Sequence, residues 1–137
     1  MRSIKGFTLI ELMVTIVVAS ILVSVGYSAY SNQMIKGRRA DAHTALLRAA
    51  AMQEQYLIQN GAYTANMTKL GFASDPATSE NGYYSIDATV ASGGYTLTAT
   101  RVAPQTTDTD CGDLTFTNLN IKSAVNATNS NPGKNCW

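Results

Sequence analysis

An apolar run begins at Phe7 and continues almost unbroken to Tyr30, and one carboxylate, Glu11, sits inside it. At about 24 residues the run exceeds the roughly 20 that a helix needs to cross a bilayer. A carboxylate within such a span costs on the order of 2.5 to 3.5 kcal/mol on insertion scales, so an acid retained there implies a partner. With 137 residues in all, the chain has room for one small domain beside this segment and no second independent core.

The leader-like boundary lies before the apolar run, where Arg2 and Lys5 lead to Gly6. An ordinary secretory signal would place a small-residue cleavage site after its apolar core. Ala19-Ser20 and Ser28-Ala29 are the candidates for such a site, and this stays an alternative. The octapeptide Lys5-Gly6-Phe7-Thr8-Leu9-Ile10-Glu11-Leu12 resembles the class III signal of type IV prepilins and of the related type II secretion pseudopilins. That resemblance implies cleavage after Gly6 by a prepilin peptidase and N-methylation of the new terminus, Phe7. The apolar segment would then remain on the mature chain. It also implies an inner-membrane subunit with its domain facing the periplasm, handed by pilus assembly machinery into an extracellular filament. The positive-inside rule puts Arg2 and Lys5 in the cytoplasm, but Lys36, Arg38 and Arg39 beyond the far end compete with it. Orientation therefore rests on the resemblance.

Hydrophobic residues make up 45% of the chain but crowd toward its start, whereas the second half is rich in Thr, Asn, Ser and Gly. The formal charge is +1; without Arg2 and Lys5 it becomes minus one, and from Gly61 onward four basic side chains face six acidic ones. Generic nucleic-acid binders usually carry a basic excess. The two cysteines, Cys111 and Cys136, both lie in the part that would be outside the cytoplasm, where pairing is the natural state. With the one distant His43 they do not make a tetrahedral metal set, and no metal or cofactor is expected.

Past Tyr30 the pattern stays helical: Ala42, Ala45, Leu46, Ala49, Met52 and Tyr56 recur at three- and four-residue spacing, with Asp41, Arg48 and Glu54 off that stripe. Asn60-Gly61 marks the end. Four segments follow: a leader over 1–6, a transmembrane and assembly helix over 7–30, its amphipathic half over 31–60, and a sheet region over 61–137. A continuous helix from Phe7 to Asn60 would measure about 80 Å. Gly26, flanked by Ser24 and Ser28, lowers helix propensity and is a candidate bend. Many type IV pilins carry a proline near there, and this chain has Ser28. Residues 62–81 read as a connection with a short helix near Asn66 to Leu70.

Alternation then takes over. Tyr84, Ile86, Ala88 and Val90 face one way, and after Ser92-Gly93-Gly94 the pattern resumes with Tyr95, Leu97 and Ala99, which predicts a hairpin. Leu114 and Phe116 begin a third run; Leu119 and Ile121 are out of phase with it, so 118–120 should hold a bulge or tight turn before a last strand. A small antiparallel sheet packed on the helical stripe gives a pilin-like α+β fold.

For Glu11 the prepilin resemblance implies an ion pair with the freed ammonium of a neighbouring subunit's Phe7; the plainer alternative is an acid snorkelling to the interface. Thr15, Ser20 and Gly26 are candidate helix-packing positions. Asp110-Cys111-Gly112-Asp113-Leu114-Thr115-Phe116 followed by Cys136-Trp137 is similar to the C-terminal region of PilE-like minor pilins, which close a disulfide-bounded surface loop there, spanning 111–136 in this chain. The function so implied is a filament subunit for adhesion, twitching motility or DNA uptake, with other pilin subunits as partners. Lys122, Lys134 and Trp137 are the candidate partner contacts. A DNA-binding competence pilin is the chief alternative, since local basic and stacking groups can suffice. A major pilin and a type II pseudopilin are the others. No nucleophile elbow, phosphate-binding glycine loop or HExxH occurs, and His43 reads as a solvated helix residue, so no enzyme is expected. Asp108, Asp110 and Asp113 lack the spacing of an EF-hand, although some pseudopilins bind calcium near their last strands. The sequons at Asn66 and Asn126 are assigned no role.

Overall fold

The computed structural model describes residues 6–125, 127–128 and 136–137, apart from the side chains of Ser28 and Ala29. Arg2, Lys5, Asn126 and Lys134 lie outside the described residues. One helix, α1, runs from Leu9 to Asn60 and passes Gly26 without a break. The chain divides within that helix into two units, one through Met34 and one from Ile35 onward.

In the first unit the helix is apolar all round and exposed, with Leu9, Ile16, Leu22 and Val25 each more than half open. An 18-residue window reaches a mean hydropathy of 2.4, enough by length and composition to cross a membrane. The hydroxyls of Thr15, Ser20 and Ser24 turn back onto the carbonyls of Glu11, Ile16 and Ile21, so each is satisfied within its own helix.

The second unit joins helix residues 35–60 to a five-stranded antiparallel sheet in simple sequence order. Its strands are β1 (Ala77–Thr78), β2 (Tyr84–Ala91), β3 (Gly94–Arg101), β4 (Asp113–Thr117) and β5 (Lys122–Val125). Gly61, at φ +76, closes α1 by a left-handed cap, its amide donating to Leu57 at 2.8 Å. A single 3-10 turn follows at Met67–Leu70, capped by Asn66, whose side chain accepts from the Lys69 amide. Asn66, the first residue of a sequon, thus serves as a cap.

The β2–β3 hairpin turns on Ser92 and Gly93, both at positive φ, which matches the right-handed twist of the flanking strands. Gly94 belongs to the strand and pairs with Ala91. Between β4 and β5 the chain reverses through Asn118 to Asn120, with Asn120 at φ 60, and Leu119 and Ile121 are exposed in that reversal. Strand β1 falls in a stretch expected to be connection only; two residues are too few to show a period.

Leu46, Met67, Ile86, Leu97 and Leu114 are fully buried between helix and sheet, each contributing on the order of 1.5 to 3 kcal/mol. Ala42, Ala45 and Ala49 line the helix side, as the stripe required. Two expectations on that helix are corrected. Asp41 is buried, because its Oδ1 accepts from the backbone and side-chain nitrogens of Asn81 at 3.2 and 3.0 Å. His43 is half-buried and engaged rather than solvated.

Candidate functional site

Glu11 lies in the first turn of α1. Thr8 caps that turn: its Oγ1 accepts the Glu11 amide at 3.3 Å and its carbonyl accepts it at 3.2 Å. Thr8-x-x-Glu11 is capping-box spacing, a signal legible in the sequence, and a carboxylate here complements the helix dipole. The observed cap engages the Glu11 amide only, and the carboxylate adds no more than its favourable position in the helix dipole. Among the described residues neither ion pair involves it. Phe7, just before the helix, is 81% exposed.

The second constellation is built around Trp137. Cys111, near the end of the β3–β4 connection, is joined by a disulfide to Cys136 with their Cα atoms 5.5 Å apart. The crosslink puts Trp137 against both layers of the domain. Its indole stacks on the His43 imidazole with centroids 4.7 Å apart and planes 10° from parallel. The indole Nε1 donates to the Ser123 carbonyl at 2.8 Å, and Phe116 approaches at 6.0 Å. The Lys122 ammonium stands 5.3 Å from the ring centroid.

His43 Nε2 lies 2.9 Å from the Cys136 carbonyl oxygen, and a carbonyl only accepts, so Nε2 carries the proton. Burial holds the imidazole below its usual pKa of 6.5, opposed by that hydrogen bond, with Lys122 and Arg39 adding a smaller downward push. His43 is thus a neutral donor that pins the Cys136–Trp137 backbone to α1.

A third cluster supports the disulfide from beneath. Arg39 and Asp108 form a bidentate buried pair, Nε to Oδ2 at 2.7 Å and Nη2 to Oδ1 at 2.8 Å. Asp108 also accepts from Gln105 Nε2 at 3.2 Å and from the Cys111 amide at 3.3 Å. The hydrogen bond to Asp108 raises the Arg39 pKa, against the opposing effect of burial. Arg101 pairs with Asp113 at 3.0 Å. Asp108 and Asp113 are thus each committed to an arginine, and the described residues hold no group of three His, Cys, Asp or Glu suited to a metal.

Two family models together cover residues 1–115, leaving Lys122, Cys136 and Trp137 outside the match. Residues 1–27 match the prokaryotic N-terminal methylation motif, and residues 28–115 match the family described as type IV minor pilin ComP, DNA uptake sequence receptor. The chain belongs to the type IV pilin family. The pilin is also 41% identical over 83 residues to the type IV wide pilus major component PilA4 of Thermus thermophilus, covering 56% of this chain and 61% of that protein. It is 35% identical over 82 residues to the type IV major pilin protein PilE1 of Neisseria gonorrhoeae, covering 58% of this chain and 48% of that one. The matches thus span about half to three fifths of these relatives. A type IV pilin structure from Shewanella oneidensis aligns with a TM-score of 0.53 at 28% identity, over 75% of this pilin and 97% of that chain. The family is one of structural subunits, not an enzyme class.

Within the pilin, the geometry brings Lys122, Trp137, Cys111 and Cys136 together and adds His43, Arg39 and Asp108, which sequence reasoning had not grouped with them. Partners 69 and 93 positions away leave no local trace of these contacts.

Proposed function

We propose that this chain is a minor type IV pilus subunit, cut after Gly6 and N-methylated on Phe7 by a prepilin peptidase. It would stand in the inner membrane with its domain in the periplasm until the pilus machinery assembles it with other pilin subunits. The observation that carries this is Glu11 in an exposed apolar helix, under a matched N-methylation motif, with no cation beside it among the described residues. Cleavage frees the Phe7 ammonium, and pairing it with Glu11 of a neighbour removes much of the cost of two charges in lipid. One straight helix cannot satisfy both groups well, so the pair favours staggered packing of subunits. The test is Glu11→Gln: membrane insertion and domain folding are retained while incorporation into sheared pili is lost. Normal incorporation of the variant would refute the pairing. Quantitative mass spectrometry of the same pili separates a scarce minor subunit from a dominant major one.

The second function, DNA uptake, is favoured by the extent of the 28–115 match. Against it stands the acidic excess beyond Gly61, and Trp137 is already stacked on His43, which leaves less of its ring for a base. Lys122 is exposed; Lys134 lies outside the described residues. Labelled duplex DNA titrated against the purified full chain in detergent decides the matter: a salt-dependent anisotropy rise that Lys122→Gln weakens supports a receptor, and none at low salt excludes one.

A further inference from the structure

Arg38 is half-buried, and its Nε is shielded from solvent with no acceptor. Its guanidinium carbon sits 4.9 Å from the centroid of the Tyr83 ring, and neither ion pair among the described residues includes it. Two residues earlier, Lys36 is exposed. Beside them runs the loop that follows β3: the Val102 amide donates to the Tyr83 carbonyl at 2.9 Å, and Gln105 Nε2 reaches the Ile35 carbonyl at 3.2 Å. Val102, Ala103 and Pro104 are all exposed. The nearby acid Asp108 is committed to Arg39, while the exposed Asp110 acts on Arg39 through space. One rim of the domain thus gathers two cations that belong to neither ion pair of the described residues, an aromatic ring and three exposed apolar residues.

We propose that Lys36, Arg38, Tyr83 and the Val102–Pro104 loop seat the phosphate of an anionic phospholipid headgroup at the membrane surface. The proposal rests on the membrane-anchored reading above. Connectivity bounds the distance: the six residues from Tyr30 to Lys36 span at most about 20 Å even fully extended, so Lys36 stays within that reach of the membrane end of the helix. Chemistry supplies the match. Arg38 Nε is sealed, so a phosphate oxygen would meet the guanidinium's Nη groups, which make no hydrogen bond among the described residues, and guanidinium and ammonium groups near an anionic leaflet are each attracted to it. A tyrosine and small apolar side chains suit the headgroup level, where one end is wet and the other is not. Such a seat would hold the domain down on the membrane until assembly lifts the subunit out.

The test uses the full chain, isotope-labelled, in nanodiscs of phosphatidylcholine alone or with about one third phosphatidylglycerol, each carrying a trace of headgroup-spin-labelled lipid. Amides of Tyr83, Val102 and Ala103 should broaden strongly only in the phosphatidylglycerol discs, while Ser92 and Gly93 at the opposite end of the sheet stay sharp. Lys36→Gln and Arg38→Gln should each cut that excess broadening roughly fivefold, with the rest of the spectrum unchanged. Among the described residues Lys36 is exposed and makes no hydrogen bond or ion pair, so its variant keeps the test valid if Arg38→Gln disturbs the fold. Equal broadening in both lipids, or none, overturns the headgroup seat while leaving the anchor intact. A chain that does not co-purify with the discs overturns the anchor and the seat together. A larger response of Arg38 and Tyr83 to added duplex DNA than to phosphatidylglycerol would assign the rim to nucleic acid and overturn the lipid seat.

Discussion

Replacing Asp108 with Asn would remove the charge that Arg39 was desolvated to meet. Both side chains are nearly sealed, at 9% and 1% exposure, so water cannot substitute as partner. The amide keeps the shape, yet it turns one of two acceptors into a donor aimed at a guanidinium. Removing one member of a buried pair costs about 3 to 5 kcal/mol, chiefly because the survivor is left charged and uncompensated. Asp108 also accepts from Gln105 and the Cys111 amide, so the loss sits at the upper half of that range. At about 4 °C per kcal/mol for a domain of this size, the melting temperature should fall by roughly 15 to 20 °C. The assay is thermal unfolding of the full chain in detergent micelles, followed by the fluorescence of the single tryptophan, Trp137. The pair Arg39→Leu with Asp108→Leu, which leaves no charge behind, should recover more than half of the loss. A cost for Asp108→Asn below about 1 kcal/mol, or a double variant no better than the single one, would show that the pair is solvated and the reasoning wrong.

Reducing the Cys111–Cys136 disulfide should cost about 3.5 kcal/mol for a separation of 25 residues, read as a lower urea midpoint in the presence of reductant. Because the folded state holds His43 below its usual pKa of 6.5, the unfolded chain binds more protons just under that value; stability should be full above pH 6.5 and decline as the pH falls through the window beneath it, and His43→Gln should flatten that slope. Burial pushes the Tyr84 and Tyr95 phenols up to about 12, so in an alkaline absorbance titration these two should ionise only well above pH 10, and unfolding the domain should bring both down to the ordinary phenol range near 10.

The parts of the domain that were legible in the sequence are those whose signal is periodic. Ala42, Ala45, Leu46 and Ala49 repeat at helical spacing and are buried; Tyr84, Ile86 and Ala88 alternate and are buried, Ile86 opposite Ala99 and Ala88 opposite Leu97, with Tyr95 buried further along the same strand. What the period could not carry was the fate of polar residues on the helix. Arg39, Asp41 and Gln53 look like surface positions until partners arrive from the β3–β4 connection, the turn before β2 and the loop after α1. His43 was misjudged for the same reason, since the carbonyl that engages it follows a crosslink from far along the chain. Of the N-terminal constellation, Glu11 stood out by its chemistry, and Phe7 only through the prepilin resemblance. The Thr8 cap was equally visible; it engages the Glu11 main-chain amide and leaves the carboxylate without a hydrogen bond among the described residues.

Those polar contacts answer a problem that an alanine stripe creates. Small side chains on the helix stripe give the sheet little relief to key into, and a row of near-identical alanines discriminates poorly between one seating of the sheet and another shifted by a turn. Arg39–Asp108, Asp41–Asn81, His43–Cys136 and Gln53–Thr64 each join a helix residue to a group off the helix at hydrogen-bonding distance. A slip of one turn would break all four at once and strand several desolvated donors and acceptors, at about 1 to 3 kcal/mol for each neutral group and more for the charged ones. Apolar burial thus supplies the attraction, while the buried polar contacts select the register, a use of buried charge that stability alone does not explain. Three of the four lie between Arg39 and His43, at the end of the domain where α1 enters it, so resistance to sliding is concentrated where a pull along the helix would first act on the sheet.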